Sequence, residues 1–92
     1  MAKVIITIKI MPEDPSIDLI KLQSDCEKEI INFEGKIEKT NVEPIAFGLK
    51  AINIIFRMDE NKGSPDPLEE LIVKNVKGVN SAKVTEVRRA LG

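Results

Sequence analysis

The chain has 92 residues, 14 basic and 15 acidic, for a net charge of −1. That length fits one compact domain, expected to span 1–92, and the even charge balance argues against a general nucleic-acid binder, which would carry a clear basic excess. A single cysteine, Cys26, excludes an intrachain disulfide; there is no histidine, and the sequence shows no cluster of Cys, His or carboxylate ligands of the kind a zinc site needs.

Strand-like alternation begins directly after Met1, with no charged-then-apolar signal segment before it. Val4, Ile6, Ile8 and Ile10 point one way, and Lys3, Ile5, Thr7 and Lys9 the other, as in a strand with one buried face. Met11-Pro12-Glu13-Asp14-Pro15 should stop it, because proline cannot extend a ladder. Asp18 is placed to cap a helix from Leu19. Leu19, Leu22, Cys26 and Ile30 form its apolar stripe, and Lys21, Asp25 and Lys28 its wet side. Gly35 ends that region, and Lys36 to Val42 reads as a weaker strand.

Leu49 to Met58 is the strongest strand after the first, with Ile52, Ile54, Phe56 and Met58 on one face and Ala51, Asn53, Ile55 and Arg57 on the other. Asp59 to Ser64 is a polar loop. Asp66, Pro67 and Glu69 predict a helix start with a capping box, followed by a stripe of Leu68, Leu71 and Ile72 that Gly78 closes. Ala82 to Arg89 reads as a last strand in which Val84 and Val87 are out of phase, the sign of a bulge. No apolar run approaches the roughly 20 residues of a membrane helix, so a soluble, cytoplasmic protein without membrane contact is expected.

The order β-α-β-β-α-β predicts an α+β, ferredoxin-like sandwich: a four-stranded antiparallel sheet with two helices on one face, and the first and third strands central. Many unrelated functions share this plan, so the site must decide. RNA recognition by the open sheet face would use stacked aromatics, but that face offers Ile5, Thr7, Asn53, Ile55 and Arg57. A phosphatase would need a cradle of backbone N–H groups and a cation, whereas the loop after the first strand holds Pro12, Pro15, Glu13 and Asp14. A metal chaperone would want a Cys-x-x-Cys pair, which is absent.

A protein-binding module remains. Pro44-Ile45-Ala46-Phe47-Gly48 is apolar where a strand connection is normally polar, which suits partner recognition. Alternatively, Ile45 and Phe47 fold back onto the sheet edge or begin the third strand. Asp25, Glu27 and Glu29 are most simply a solvated helix face, and Cys26 most simply core.

The segment Glu43 to Ile52 closely resembles the Pro-Ile-(Ala/Gly)-(Phe/Tyr)-Gly-(Leu/Ile) stretch of the elongation factor one-beta guanine nucleotide exchange domains. The opening Ile8-Lys9-Ile10-Met11-Pro12 with Pro15, and the ending Val84-Thr85-Glu86-Val87-Arg88-Arg89, resemble the archaeal members. The three blocks stand in order across nearly the whole chain, which is similar to the bare exchange domain without the extra N-terminal region of eukaryotic relatives. The resemblance implies a ferredoxin-like fold and a non-enzymatic role in protein synthesis: binding the GTPase elongation factor one-alpha and speeding release of GDP, with no cofactor, no metal and no stable nucleic-acid contact.

By the same resemblance, Phe47 presses on the GTPase near its nucleotide. A basic group near the C-terminus, Arg89 or its neighbour Arg88, reaches toward the Mg²⁺ site, where relatives often have lysine. Pro44, Ile45, Gly48 and Lys50 complete the expected partner-binding set; Gly48 serves the turn, Pro44 stiffens the loop, and Lys50 reads equally well as an ordinary surface charge. A ferredoxin-like regulatory or RNA-associated ribosomal module is the alternative.

Overall fold

A computed structural model describes residues 3–90. Strands β1 (Lys3–Pro12), β2 (Lys36–Pro44), β3 (Lys50–Asp59) and β4 (Val79–Arg89) alternate with helices α1 (Leu19–Asn32) and α2 (Asp66–Asn75) in the expected β-α-β-β-α-β order. The sheet order is β2-β3-β1-β4, with every neighbouring pair antiparallel, so β1 and β3 are central as expected. Ile6, Ile8 and Ile10 of β1 stand opposite Phe56, Ile54 and Ile52 of β3. These six side chains have no exposure, and Leu22, Cys26 and Ile30 of α1 and Leu68 and Ile72 of α2 pack over them. No polar or charged residue is buried among the described residues.

Helix α1 starts as the sequence predicts: the Asp18 carboxylate accepts the Ile20 and Lys21 N–H groups at 3.0 and 3.3 Å. Helix α2 does not. No capping box forms; Pro65 occupies the cap position, and the Ser64 hydroxyl accepts the Asp66 N–H at 3.1 Å. Glu69 is drawn instead to β4, where its carboxylate accepts the Val84 N–H at 2.6 Å. An unpaired edge N–H is a better partner for a carboxylate than a helix end that proline has already deprived of one donor. Leu71 also leaves the expected stripe for the surface, and Val76 takes its place in the core.

Several boundaries move outward. β1 continues through Met11 to Pro12, which pairs with Val79 past a register shift, and a strand's end is a position where proline's missing N–H does little harm. β2 runs on to Pro44, β3 is Lys50–Asp59, and β4 begins at Val79 rather than Ala82. The polar loop after β3 holds a 3-10 turn, Glu60–Lys62, capped by Asp59. The bulge foreseen in β4 is present: Thr7 pairs with Glu86 and Ile8 with Val84, leaving Thr85 without an opposite residue. Edge strand β2 has a matching irregularity at Glu38, between Ile37 and Lys39. Both open edges are thus kinked and carry charges, the usual guard against edge-to-edge pairing.

Cys26 is core, as expected. Burial, with smaller contributions from Asp25, Glu29 and Glu27, pushes its thiol up to about 12, so it stays protonated and inert. Gly35 is needed for close approach. A Cβ there would stand 2.7 Å from Ile30 Cγ2 and 2.8 Å from Phe56 Cδ2. Gly35→Ala is expected to destabilise the fold by about 1–3 kcal/mol, as overpacking does, read as a lower urea midpoint with an unchanged m value. A midpoint equal to that of the parent would show that the site yields without strain.

Candidate partner-binding site

The β2–β3 connection is a tight turn. The Leu49 N–H donates to the Ala46 carbonyl at 3.1 Å, and the Ile45 N–H to the Leu49 carbonyl at 2.8 Å. The two central residues, Phe47 and Gly48, have φ of 58° and 79°, the pair of positive angles that a type I′ turn requires. Glycine adopts such an angle freely, whereas a bulky side chain there is rare and strained. The strain is of order 1–2 kcal/mol, and no packing compensates it: Phe47 is 96 % exposed, the most exposed large apolar residue described. It therefore neither folds back on the sheet edge nor begins β3.

The rest of the loop is fixed from both sides. Pro44, the last residue of β2, pairs with Lys50, the first of β3. The Pro12–Pro15 loop lies against the turn, with Pro15 about 4 Å from the position a Gly48 Cβ would take. Pro12, Asp14, Pro15, Leu19, Gly48 and Lys50 line a small depression of about 140 Å³ between the two loops. That neighbouring loop is itself clasped. The Ser16 N–H and hydroxyl donate to the Asp14 carboxylate, which holds the acid below the usual carboxylate range, and the Glu13 N–H donates to the Gly78 carbonyl at 2.8 Å. Glu43, just before Pro44, accepts from the Asn53 amide at 3.1 Å and lies 3.6 Å from Lys9 Nζ; the amide first and the ammonium second lower its pKa.

Arg88 and Arg89 stand elsewhere. Arg88 pairs with Ile5 and Arg89 with Val4, at the opposite end of β1 from Ile10, where the turn lies. Val4 pairs with Met58, eight residues from Lys50 at the foot of the turn, so the sheet holds the two groups apart by more than about 25 Å. Adjacent strand residues face opposite ways. Arg88 joins Ile5 on the open face, while Arg89 turns to the helix side, where its Nε lies 3.1 Å from Glu60 Oε2. The sequence reading treated these residues as one partner-binding set; the structure divides them into an apolar tip formed by Pro44, Ile45, Phe47 and Gly48 with Lys50 at its base, and a basic end.

Nothing in the described residues resembles a metal centre: no group of three or more His, Cys, Asp or Glu is placed to hold an ion. Among the described residues no helix is long and apolar enough to cross a membrane. The aromatics lie off the open sheet face: Phe56 is in the core, Phe33 packs against it, and Phe47 caps the turn. Sequence reasoning missed two exposed apolar residues near the tip, Ile20 and Val42. Ile20 is legible in hindsight, because it follows Leu19 and so falls off the stripe that Leu19 begins; Val42 is apolar on the weakest strand.

A family model for the EF-1 guanine nucleotide exchange domain matches residues 5–90. The chain belongs to this family. It is 43 % identical to elongation factor 1-beta of Staphylothermus marinus, over 97 % of this chain and 98 % of that one. Identity to elongation factor 1-beta of Methanothermobacter thermautotrophicus is 38 %, over 99 % of this chain and all of that one, and to the Sulfolobus acidocaldarius protein 40 %, over 94 % of each. Among solved structures, the ACT domain from GTP pyrophosphokinase of Chlorobium tepidum superposes with a TM-score of 0.58 at 19 % identity, covering 90 % of this chain and 99 % of that one. The de novo designed protein Foldit4 gives 0.52 at 21 % identity, with 98 % of each chain covered. At such identities these structures share the fold alone, and it is the fold the sequence predicts.

The exchange-domain turn yields a prediction in which stability separates from exposure. Phe47→Asn keeps the turn and tolerates positive φ, so it should raise stability by about 1 kcal/mol through relief of strain. Phe47→Ala, which keeps a Cβ, should shift stability by less than about 1 kcal/mol, as a surface change does. Thermal melts of both variants check this; a loss of several kcal/mol in either would place Phe47 in a packed environment.

Proposed function

We propose that this chain is a guanine nucleotide exchange factor of protein synthesis, a single domain over 1–92 that acts in the cytoplasm on the GTPase elongation factor one-alpha. The observation that carries this reading is the exchange-domain family match across residues 5–90. Relatives of the same length named elongation factor 1-beta support it. The chain works by binding, not by covalent chemistry, and needs no cofactor or metal of its own.

GDP is held on a GTPase by backbone amides around its phosphates and by Mg²⁺, whose charge offsets the phosphate oxygens. A protein that prefers the GTPase with that arrangement disrupted must weaken the nucleotide by the factor by which the nucleotide weakens it. A thousandfold effect is about 4 kcal/mol of coupling. Two contacts at opposite ends of a stiff sheet are suited to supply it. At one end Phe47 is presented on a strained turn, with Pro44, Ile45, Gly48 and Lys50 as its frame, and its exposed ring gains contact area when it seats on the partner. At the other end Arg89, or Arg88 on the opposite face, brings a fixed positive charge toward the Mg²⁺ site. The Arg89–Glu60 pair is largely exposed, so releasing it costs no more than about 1 kcal/mol. Freed Mg²⁺-binding carboxylates on the GTPase would then be the better partners for the guanidinium.

The test is multiple-turnover release of labelled GDP from elongation factor one-alpha by substoichiometric amounts of this chain. Acceleration is expected. None across a range of salt and Mg²⁺ would refute the proposal. Arg89→Ala should lose progressively more exchange as Mg²⁺ is raised, if the arginine competes with the ion; a deficit that is constant with Mg²⁺ would assign the arginine to simple docking. RNA binding is expected to be weak and unselective, and a tight, sequence-selective RNA complex at physiological salt would instead favour an RNA-associated module.

A further inference from the structure

The apolar surface around Phe47 does not stop at the turn. Helix α1 and edge strand β2 run antiparallel side by side, and one contact fixes their alignment: the Thr40 hydroxyl donates to the Glu27 carboxylate at 2.9 Å. From Thr40 toward the turn, Val42 is two residues on and faces the same side, about 7 Å away. From Glu27 toward the N-terminus of α1, Ile20 is seven residues back on the same stripe, about 10 Å away. Ile20 therefore stands level with the segment between Val42 and Pro44. Ile45, three residues past Val42, faces the other way, but Leu19, the neighbour of Ile20, lines the depression beside Gly48 and so joins this flank to the Phe47 turn. Ile20 is 83 % exposed and Val42 46 %, so two large apolar side chains stand together on the flank that leads to the exposed Phe47.

No residue of α1 or β2 covers this strip. The nearest polar anchors, Thr40, Glu27 and Gln23, bond to each other at its far end. Each of these apolar side chains taken singly would be unremarkable on a surface, but an exposed apolar pair beside a strained, exposed aromatic marks an interaction site.

We propose that Ile20 and Val42 form a second docking contact for the GTPase that Phe47 engages, taking an apolar ridge of that partner against the α1–β2 flank. The proposal rests on the exchange-factor reading above. Continuity with the Phe47 turn through Leu19 and Gly48 selects this occupant: a partner seated on a ring at the tip of the β2–β3 turn, and approaching from the helix side, meets Val42 and Ile20 next. The strip lies about 20 Å from Arg88 and Arg89 by the strand spacing, so it has no part in displacing the ion. It binds the GTPase to the same extent with nucleotide present or absent. Removing such uniform binding raises KM and leaves the maximal rate alone.

The experiment measures exchange at varied GTPase concentration, with direct binding to nucleotide-free GTPase measured in parallel. Ile20→Asp places a charge on a site that is already wet, so it should melt with the parent protein. It is expected to raise KM and the dissociation constant about tenfold while sparing the saturating rate, the pattern of lost uniform binding. Val42→Thr, which preserves β-branching, should act in the same direction and more weakly. A folded Ile20→Asp with the parent's KM and affinity overturns the proposal. So does a parent protein that self-associates in sedimentation and becomes monomeric on Ile20→Asp, since the strip would then belong to a second copy. If the parent binds the GTPase without accelerating release, the exchange reading fails while the affinities still judge the strip. If it does not bind, both fall.

Discussion

The contact between β1 and β3 sets the rest of the molecule. Ile6, Ile8 and Ile10 face Phe56, Ile54 and Ile52 across the centre of the sheet, all without exposure. Because side chains alternate, a slip of one residue would turn the whole apolar set of either strand to solvent. The register is therefore specified strongly, and with it the place where each strand ends. β3 must begin near Lys50, which fixes the tip of the β2–β3 turn at Phe47. β4 must reach Val4 at its own end, which fixes Arg88 and Arg89 more than about 25 Å away. The separation of the two proposed contacts follows from the core and from no feature of the contacts themselves.

Placing the strain at Phe47 suits that arrangement. A strained residue persists where its surroundings over-determine it. Here two backbone hydrogen bonds close the turn, Gly48 supplies the second positive φ, and Pro15 lies alongside. The backbone of the turn is set before any partner arrives, so ordering on contact is confined to the rotamers of the exposed ring. The opposite end is softer: Arg89 is tied to Glu60 by an exposed pair that an incoming carboxylate can replace.

Much of this was legible in the sequence. The alternation of Val4, Ile6, Ile8 and Ile10 and of Ile52, Ile54, Phe56 and Met58 placed the central strands and their buried faces, Asp18 marked a true cap, and the phase slip between Val84 and Val87 announced the bulge at Thr85. The failures share a cause, since each depended on how the elements pack and not on local spacing. Glu69 reads as half of a capping box because Asp66 is three residues away, but the edge N–H of Val84, 15 residues on, takes it. Leu71 has the spacing of a core residue, yet Val76 fills the space. The strip of Ile20 and Val42 could not be seen, because only the packing of α1 beside β2 brings those residues together. The division of the candidate site into two ends was likewise invisible, as it depends on the sheet order.

The central claim is that this chain prefers its GTPase partner without nucleotide, and its most direct test is the ratio of its affinities for the nucleotide-free and GDP-bound forms of elongation factor one-alpha. Reciprocity requires that ratio to equal the factor by which the chain weakens GDP binding. The account predicts a preference of about a hundredfold or more for the nucleotide-free form, some 3 kcal/mol of coupling, matched by the same loss of GDP affinity in the complex. Equal affinity for the two forms would contradict it, because a protein that does not distinguish them cannot loosen the nucleotide however tightly it binds.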